Sequence, residues 1–426
     1  MDLQARRARL CEHRDTVLSE YGTPVYVFFE SDLRRNYRTI RSALDEHYPD
    51  STVHFAVKAN YNLGVLSVLR DEGCQAEAYA RCELSATQAA GFEPENVLLT
   101  GMNRREADLE RALSLGVEHF LVDNETELTK LERAASNSGR TASVLLRGNP
   151  AMDVPTHPEV ATATRESKFG FDIDSGRAVN VAQEAADADG IDLVGVQLHV
   201  GSQIDGVEPY AVAAREMLSF AADVRAQTGV EIEVLDLGGG FPVPYDEDVP
   251  DTETIIAEMA AAVRSAADGH DLPEPTLFLE PGRRLVGNAG ALVAQVGVVK
   301  ETPQASFAVL DAGTNAVSSY WPYPIYEVSE RAPETEYDVA GPLCYSGDVI
   351  QEDVDVPELE RGDLLAVDRI GAYSLGSASH TNAEPKPPVV LVRESGEIDL
   401  VRAREDCEDV LGDDRIPTDL ADGRKD

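Results

Sequence analysis

Basic residues are scarce in this 426-residue chain: 37 lysines and arginines stand against 77 aspartates and glutamates, for a formal charge of −40. Such a surface repels nucleic acid and anionic lipid, so neither is expected as a partner. The acid is spread along the whole chain, a pattern suited to high salt, where screening removes the self-repulsion; a halophilic source is the reading. Cysteine is sparse too. Cys11, Cys74, Cys82, Cys344 and Cys407 are odd in number and lack metal-ligand spacing, which argues against a disulfide framework and a zinc site. No apolar run reaches membrane-spanning length, and the opening MDLQARRARLCEHRD has no apolar signal core, so a cytoplasmic protein without a membrane partner is expected. There is no solenoid-type repeat.

Apolar residues, by contrast, make up 43% of the chain, enough for full cores, and the length suits two domains. A helical stretch over Leu3–Glu20 precedes a Gly22-Thr23-Pro24 turn and a β-prone run from Val25 to Phe29. Ser31 then reads as the N-cap of a helix reaching about Glu46. From Ser51 to Glu280 one unit recurs: a short apolar strand, a polar or glycine-rich end, an amphipathic helix. The strand ends are Lys58, Glu77, Gly101 with Asn103, Asp123, Arg147, His199, Gly238 and Glu280. About eight β/α units are the count of a TIM barrel, in which the carboxyl ends of the strands share one mouth. An open dinucleotide-binding sheet would want G-x-G-x-x-G after its first strand, and none is there.

Beyond Gly282 the helical rhythm stops, and runs such as GALVAQVGVVKE, QASFAVLDAG and PPVVLVRE fit an antiparallel β-barrel or sandwich. The expected domains are an N-terminal segment over 1–30 packing with the β domain, a barrel over 31–284, a β domain over 285–400 and a loose acidic tail over 401–426.

Lys58 closes the apolar run VHFAV. At a barrel-strand mouth in partly apolar surroundings its pKa can fall enough for a Schiff base with a carbonyl or with pyridoxal phosphate; alone it reads as a surface lysine opening the next helix. The glycines of LDLGGGFP, Gly238, Gly239 and Gly240, let backbone amides approach an anion, or simply make a tight turn. Glu280 in LEPGRRL is placed to bond a protonated ring nitrogen, with Gly282 and Arg283 completing a phosphate cradle; alone it fits a structural ion pair. His199 could lie against an aromatic cofactor face and Ser202 could bond phosphate, or His199 is a satisfied core imidazole.

Taken together, the series YGTP, AVKAN, CEL, VDNETEL, LLRGNP, THPEVATAT with SKFGF, HVGSQI, DLGGGFP, EPGR, DAGTN, GPLCYSGD and GAY resembles the fold-type III pyridoxal-phosphate decarboxylases from about Tyr21 to Val392. In order and spacing it is most similar to the diaminopimelate decarboxylases. The resemblance implies an alanine-racemase-like (β/α)8 barrel with a C-terminal β domain, pyridoxal 5'-phosphate as cofactor, and decarboxylation of an α-amino acid such as meso-2,6-diaminopimelate, giving L-lysine. It implies that Lys58 carries the cofactor, His199 stacks on its ring and Glu280 pairs with its nitrogen. Ser202, Gly238 to Gly240, Gly282, Arg283 and Tyr373 would surround the phosphate or substrate carboxylate. Cys344 would arrive from the second subunit of a homodimer with shared active sites and act as the proton donor; alone it reads as a buried inert thiol. Tyr326 and Tyr345 would line the substrate site.

Two departures bear on substrate. Tyr345 stands where these enzymes usually carry an acidic residue, and Trp321 where they carry an arginine. Each leaves a buried substrate group poorly matched, at roughly 1 to 3 kcal/mol apiece, which keeps a different amino acid, amino diacid or carrier-bound amino acid in view. Cys82, Ala80, Glu77 and Ala163 also depart from the pattern and alter local loops. An alanine-racemase-type isomerase would place arginine at the ring nitrogen, where this chain has Glu280. A non-enzymatic carrier would lack the β domain.

Overall fold

The computed structural model describes residues 3–152, 162–245, 247–318, 320–329 and 331–421. Residues 156–161 of the THPEVATAT motif lie outside them. The chain divides into two compact units, Phe29–Ala289 with Gly371–Gly376, and Met1–Phe28 with Gly290–Ile370 and Ser377–Asp426.

In the first unit, short apolar stretches buried on both faces become parallel strands. They are Ser51–Ala56, Gln75–Ala78, Val97–Leu99, His119–Val122, Ala142–Asn149, Ile191–Gln197, Val234–Asp236 and Thr276–Leu279. Each pairs in parallel with the next, and Leu277 opposite Ser51 closes the ring. Leu98, Leu121, Leu145, Val234 and Phe278 fill a buried cluster, so the barrel is a packed core. Asn124 caps Glu125–Ser138 by accepting from Glu127 N at 3.1 Å, and Gly139 ends that helix at φ +64°. Because every crossover returns the chain in one direction, all eight carboxyl ends open on one face.

Three expectations about element and domain boundaries need correction. Ser31 is not an N-cap: the strand Val25–Phe29 runs straight into the helix Glu30–His47, with Phe29 at the cap position and no side-chain cap. Glu30 and Asp32 supply first-turn negative charge instead. The boundary near Arg284 moves to Ala289, because the helix Arg283–Val286 buries Leu285 and Val286 and Asn36 Nδ2 donates to Leu285 O at 2.8 Å. Gly371–Gly376, expected in the β domain, belongs with the barrel; Asn60 Nδ2 donates to Gly371 O at 2.9 Å and Tyr373 N to Ala59 O at 2.7 Å.

In the second unit, Gly290–Glu301 pairs antiparallel with Val25–Phe29, Ser306–Leu310 and Leu364–Val367. The sheet is mixed rather than wholly antiparallel: Ser306–Leu310 runs parallel to Thr335–Ala340, since the long connection between them returns the chain in the same sense. Arg6 is buried against Asp368, Nη2 to Oδ1 at 2.7 Å and Nε to Oδ2 at 2.7 Å. The acidic tail is tied down where it begins. Arg404 Nη2 donates to Tyr21 O at 2.8 Å, and Glu405 accepts Lys386 N at 3.1 Å. Short helices Cys407–Leu411 and Thr418–Ala421 follow. Among the described residues no helix is long and apolar enough to cross a membrane.

Candidate active site

Lys58 sits on the single turn Val57–Ala59 directly after the first barrel strand. The strand register sets its partner: Ala56 lies opposite Glu77, which places Glu77 Oε2 at 2.6 Å from Lys58 Nζ. Glu77 is 1% exposed and its other oxygen accepts the Thr100 hydroxyl; the lysine side chain is about one-third exposed, at 34%. Burial works against the ammonium, yet Glu77, followed by Glu280 and Tyr373, holds its pKa above the ordinary lysine value. The expected lowering of the Lys58 pKa is therefore reversed in the ligand-free chain, because two carboxylates face an amine that was expected to meet apolar neighbours.

Glu280 follows the eighth strand and is 4% exposed, with its N–H on Gly238 O at 2.7 Å and Oε1 accepting Gln197 Nε2 at 3.3 Å. Burial and the nearby Glu77 raise its pKa; Lys58, a bond to Asp236 and Arg147 pull the other way. His199 follows the sixth strand, and its Nδ1 accepts the Gly239 N–H at 3.3 Å. An accepting Nδ1 puts the ring proton on Nε2. Burial, then the charges of Lys58 and Arg147, hold the imidazole pKa well below its usual value, so His199 is neutral.

The turn Gly238–Gly240 has no room for side chains. Gly238 and Gly240 take φ +67° and +94°, and a Cβ on Gly239 would lie 2.3 Å from Glu280 O. Beside it, Arg283 donates from Nη1 to the Tyr245 hydroxyl at 2.9 Å and from Nε to Ser202 Oγ at 3.3 Å. Its guanidinium also lies 4.9 Å from the Tyr373 ring centroid. Tyr373 itself is held at φ +65°. Gly282 packs on the lysine turn, where a Cβ would come 3.0 Å from Ala59 Cβ. The barrel unit thus gathers Lys58, His199, Ser202, the three glycines, Glu280, Gly282, Arg283 and Tyr373 at strand ends.

Cys344, Tyr345, Tyr326 and Trp321 belong to the β unit. Cys344 and Tyr345 are exposed, not buried, on a loop braced by Asp348, which accepts Leu343 N at 2.7 Å and Thr314 N at 2.7 Å. The Tyr345 and Thr314 hydroxyls are in short contact. Tyr326 is buried, its hydroxyl 3.4 Å from Asp368 Oδ2, and Trp321 meets Tyr320 edge-on at 5.1 Å.

Residues 30–287 match the family described as "Pyridoxal-dependent decarboxylase, pyridoxal binding domain". The chain belongs to the pyridoxal-dependent decarboxylases. It is 36% identical to the diaminopimelate decarboxylase of Methanothermobacter thermautotrophicus, over 94% of each chain, and 37% identical to that of Pseudomonas aeruginosa, over 94% of this chain and 95% of the relative. Its fold matches the crystal structure of the Methanocaldococcus jannaschii diaminopimelate decarboxylase in complex with L-lysine at a TM-score of 0.88, with 30% identity over 95% of each chain. This decarboxylase therefore uses pyridoxal phosphate.

The donor set fits that cofactor: a reachable primary amine, a side-chain-free turn next to Arg283 and Ser202 for a phosphate, and a buried carboxyl for a ring nitrogen. Sequence reasoning gave no role to Glu77, Thr100, Gln197, Asp236 or Tyr245. Glu77, Gln197 and Asp236 each interrupt or end an apolar strand run, a visible signal; Thr100 and Tyr245 carry none.

Proposed function

We propose that this enzyme decarboxylates an α-amino acid, and that the substrate is meso-2,6-diaminopimelate, giving L-lysine. The observation that carries the reading is the match in sequence and fold, over nearly the whole chain, to proteins named diaminopimelate decarboxylase, one of them solved with L-lysine. Bound pyridoxal phosphate supplies an electron sink for the pair left behind when carbon dioxide departs. Lys58 is the residue that would carry it. For Lys58 Nζ to act as a nucleophile it must give up a proton, and Glu77 Oε2 at 2.6 Å is placed to receive it. Arg283, Ser202 and the amides of Gly238–Gly240 would hold the phosphate, and Glu280 the protonated ring nitrogen. His199 would present a neutral imidazole to the ring face, fixed by the Gly239 N–H.

Cys344 of a second copy would protonate the product α-carbon, making the working unit a homodimer; its exposed, braced loop supports that role. Arg283 and Tyr373 would meet the substrate carboxylate, and Tyr326 and Tyr345 the distal end. A formal charge of −40 supports a high-salt cytoplasm as the setting. A second reading, a different amino acid or amino diacid, is favoured by Trp321 and Tyr345 alone. The holoenzyme incubated with meso-diaminopimelate, ornithine, arginine and glutamate, with product masses read out, separates the two. A lysine product is expected; turnover of another substrate without lysine formation would remove the diaminopimelate assignment.

A further inference from the structure

Asp236 ends the seventh strand and is fully buried, at 0% exposure. Its Oδ1 accepts the Gly238 N–H at 2.8 Å. Among the described residues no N–H or hydroxyl reaches Oδ2, and the carboxyl that acts on Asp236 most strongly is that of Glu280, two residues beyond its cross-strand partner Phe278. Two ionised carboxylates are both acceptors and cannot hydrogen-bond each other; a bond between them requires a proton on one. The surroundings say which. Glu280 feels Lys58 and Arg147 and accepts Gln197 Nε2, all of which favour its anion. Asp236 is offered one backbone N–H and the negative charges of Glu280 and Glu77.

We propose that Asp236 is a protonated carboxylic acid at neutral pH and a positioning residue that donates from Oδ2 to Glu280, holding the Glu280 anion aimed at the ring nitrogen of bound cofactor. The aim rests on the role of Glu280 given above; the protonation of Asp236 does not. Burial and repulsion by Glu280 raise the Asp236 pKa well above the ordinary aspartate range, in keeping with the geometry. Asparagine would preserve both bonds, accepting from Gly238 N–H through its carbonyl and donating to Glu280 through its amide. Alanine would preserve neither.

The test uses infrared difference spectra of the ligand-free full chain, with carboxyl-labelled aspartate, for wild type and Asp236→Asn at neutral pH. A labelled carboxylic-acid C=O band present in wild type and missing from Asp236→Asn is expected; its absence in wild type overturns the proposal without reference to the cofactor. In the holoenzyme, Asp236→Asn is expected to keep kcat within a few-fold. Asp236→Ala should lose roughly 10- to 100-fold in kcat, the cost of a hydrogen bond to a charged group, and lower the pH at which the cofactor ring nitrogen, followed by its 15N shift, loses its proton. Equal behaviour of the two variants in that titration overturns the positioning role. Glu280→Gln is the separate control: a ring-nitrogen titration unchanged from wild type overturns the role assigned to Glu280 and, with it, the aim, while the labelled acid band still reports on Asp236.

Discussion

Replacing Glu77 with glutamine should free the Lys58 amine at lower pH. The carboxylate lies 2.6 Å from Lys58 Nζ and is 1% exposed, so it is poorly screened and is the largest influence holding the ammonium charged. An opposite charge at that range shifts a pKa by roughly 1 to 3 units. The lysine side chain is 34% exposed, which discounts the effect toward the lower end, about 1 unit or about 1.4 kcal/mol between protonation states. Glutamine can still accept from Lys58 through its carbonyl and donate to the Thr100 hydroxyl oxygen through its amide, so the barrel should persist. Ligand-free protein mixed with pyridoxal phosphate, with the rate of covalent capture followed against pH, should show the midpoint falling by about 1 unit and capture below that midpoint speeding by up to about tenfold. The site of capture is confirmed by borohydride reduction and peptide mapping to Lys58. An unchanged midpoint with capture still at Lys58 would refute the reasoning, because Glu77 would then not be what holds the amine charged.

Gly239→Ala should weaken pyridoxal phosphate binding roughly 5- to 150-fold in an equilibrium titration, since its Cβ would sit 2.3 Å from Glu280 O and one of two backbone segments must shift, a strain of roughly 1 to 3 kcal/mol. His54, 1% exposed beside Phe278, has its pKa lowered by burial to about 3. Its neutral form is the folded form, so its contribution is complete above pH 6.5 and drains away as pH falls toward 3; wild type should lose about 1.4 kcal/mol per pH unit relative to His54→Leu between pH 6 and 4 in urea unfolding. Arg6→Ala strands the buried Asp368 and should cost roughly 3 to 5 kcal/mol, whereas Arg6→Leu with Asp368→Leu should recover much of it, as read from denaturation midpoints.

The barrel was legible because its strands are short apolar runs that stop at polar residues, and Lys58, His199 and Glu280 are such stops. Partnerships were not legible. Lys58 and Glu77 are 19 residues apart and meet because Ala56 aligns with Glu77 across two parallel strands, a register that no single stretch encodes. The same gap explains the reversed lysine pKa, since the neighbours that set it lie on other strands. Gly371–Gly376 escaped for a related reason: its sequence carries no barrel signal, and its place follows from Asn60 and Ala59 hydrogen-bonding its backbone. Ser31 misled because a strand running directly into a helix leaves the cap position to the strand's last residue, Phe29.

A charge count over the buried strand ends ties these partnerships to the chemistry. Three carboxyl groups, Glu77, Asp236 and Glu280, act on one another, and Glu77 and Glu280 act on Lys58, while Arg147 is paired with Asp123 at 3.3 Å. Three anions gathered around Lys58 would be costly in a poorly solvated site. With Asp236 holding a proton, Lys58 balances Glu77 and one negative charge is left, on Glu280, held by Asp236 and Gln197. A site with one uncompensated buried anion favours a ligand that brings one buried cation, and a protonated pyridine nitrogen is such a group.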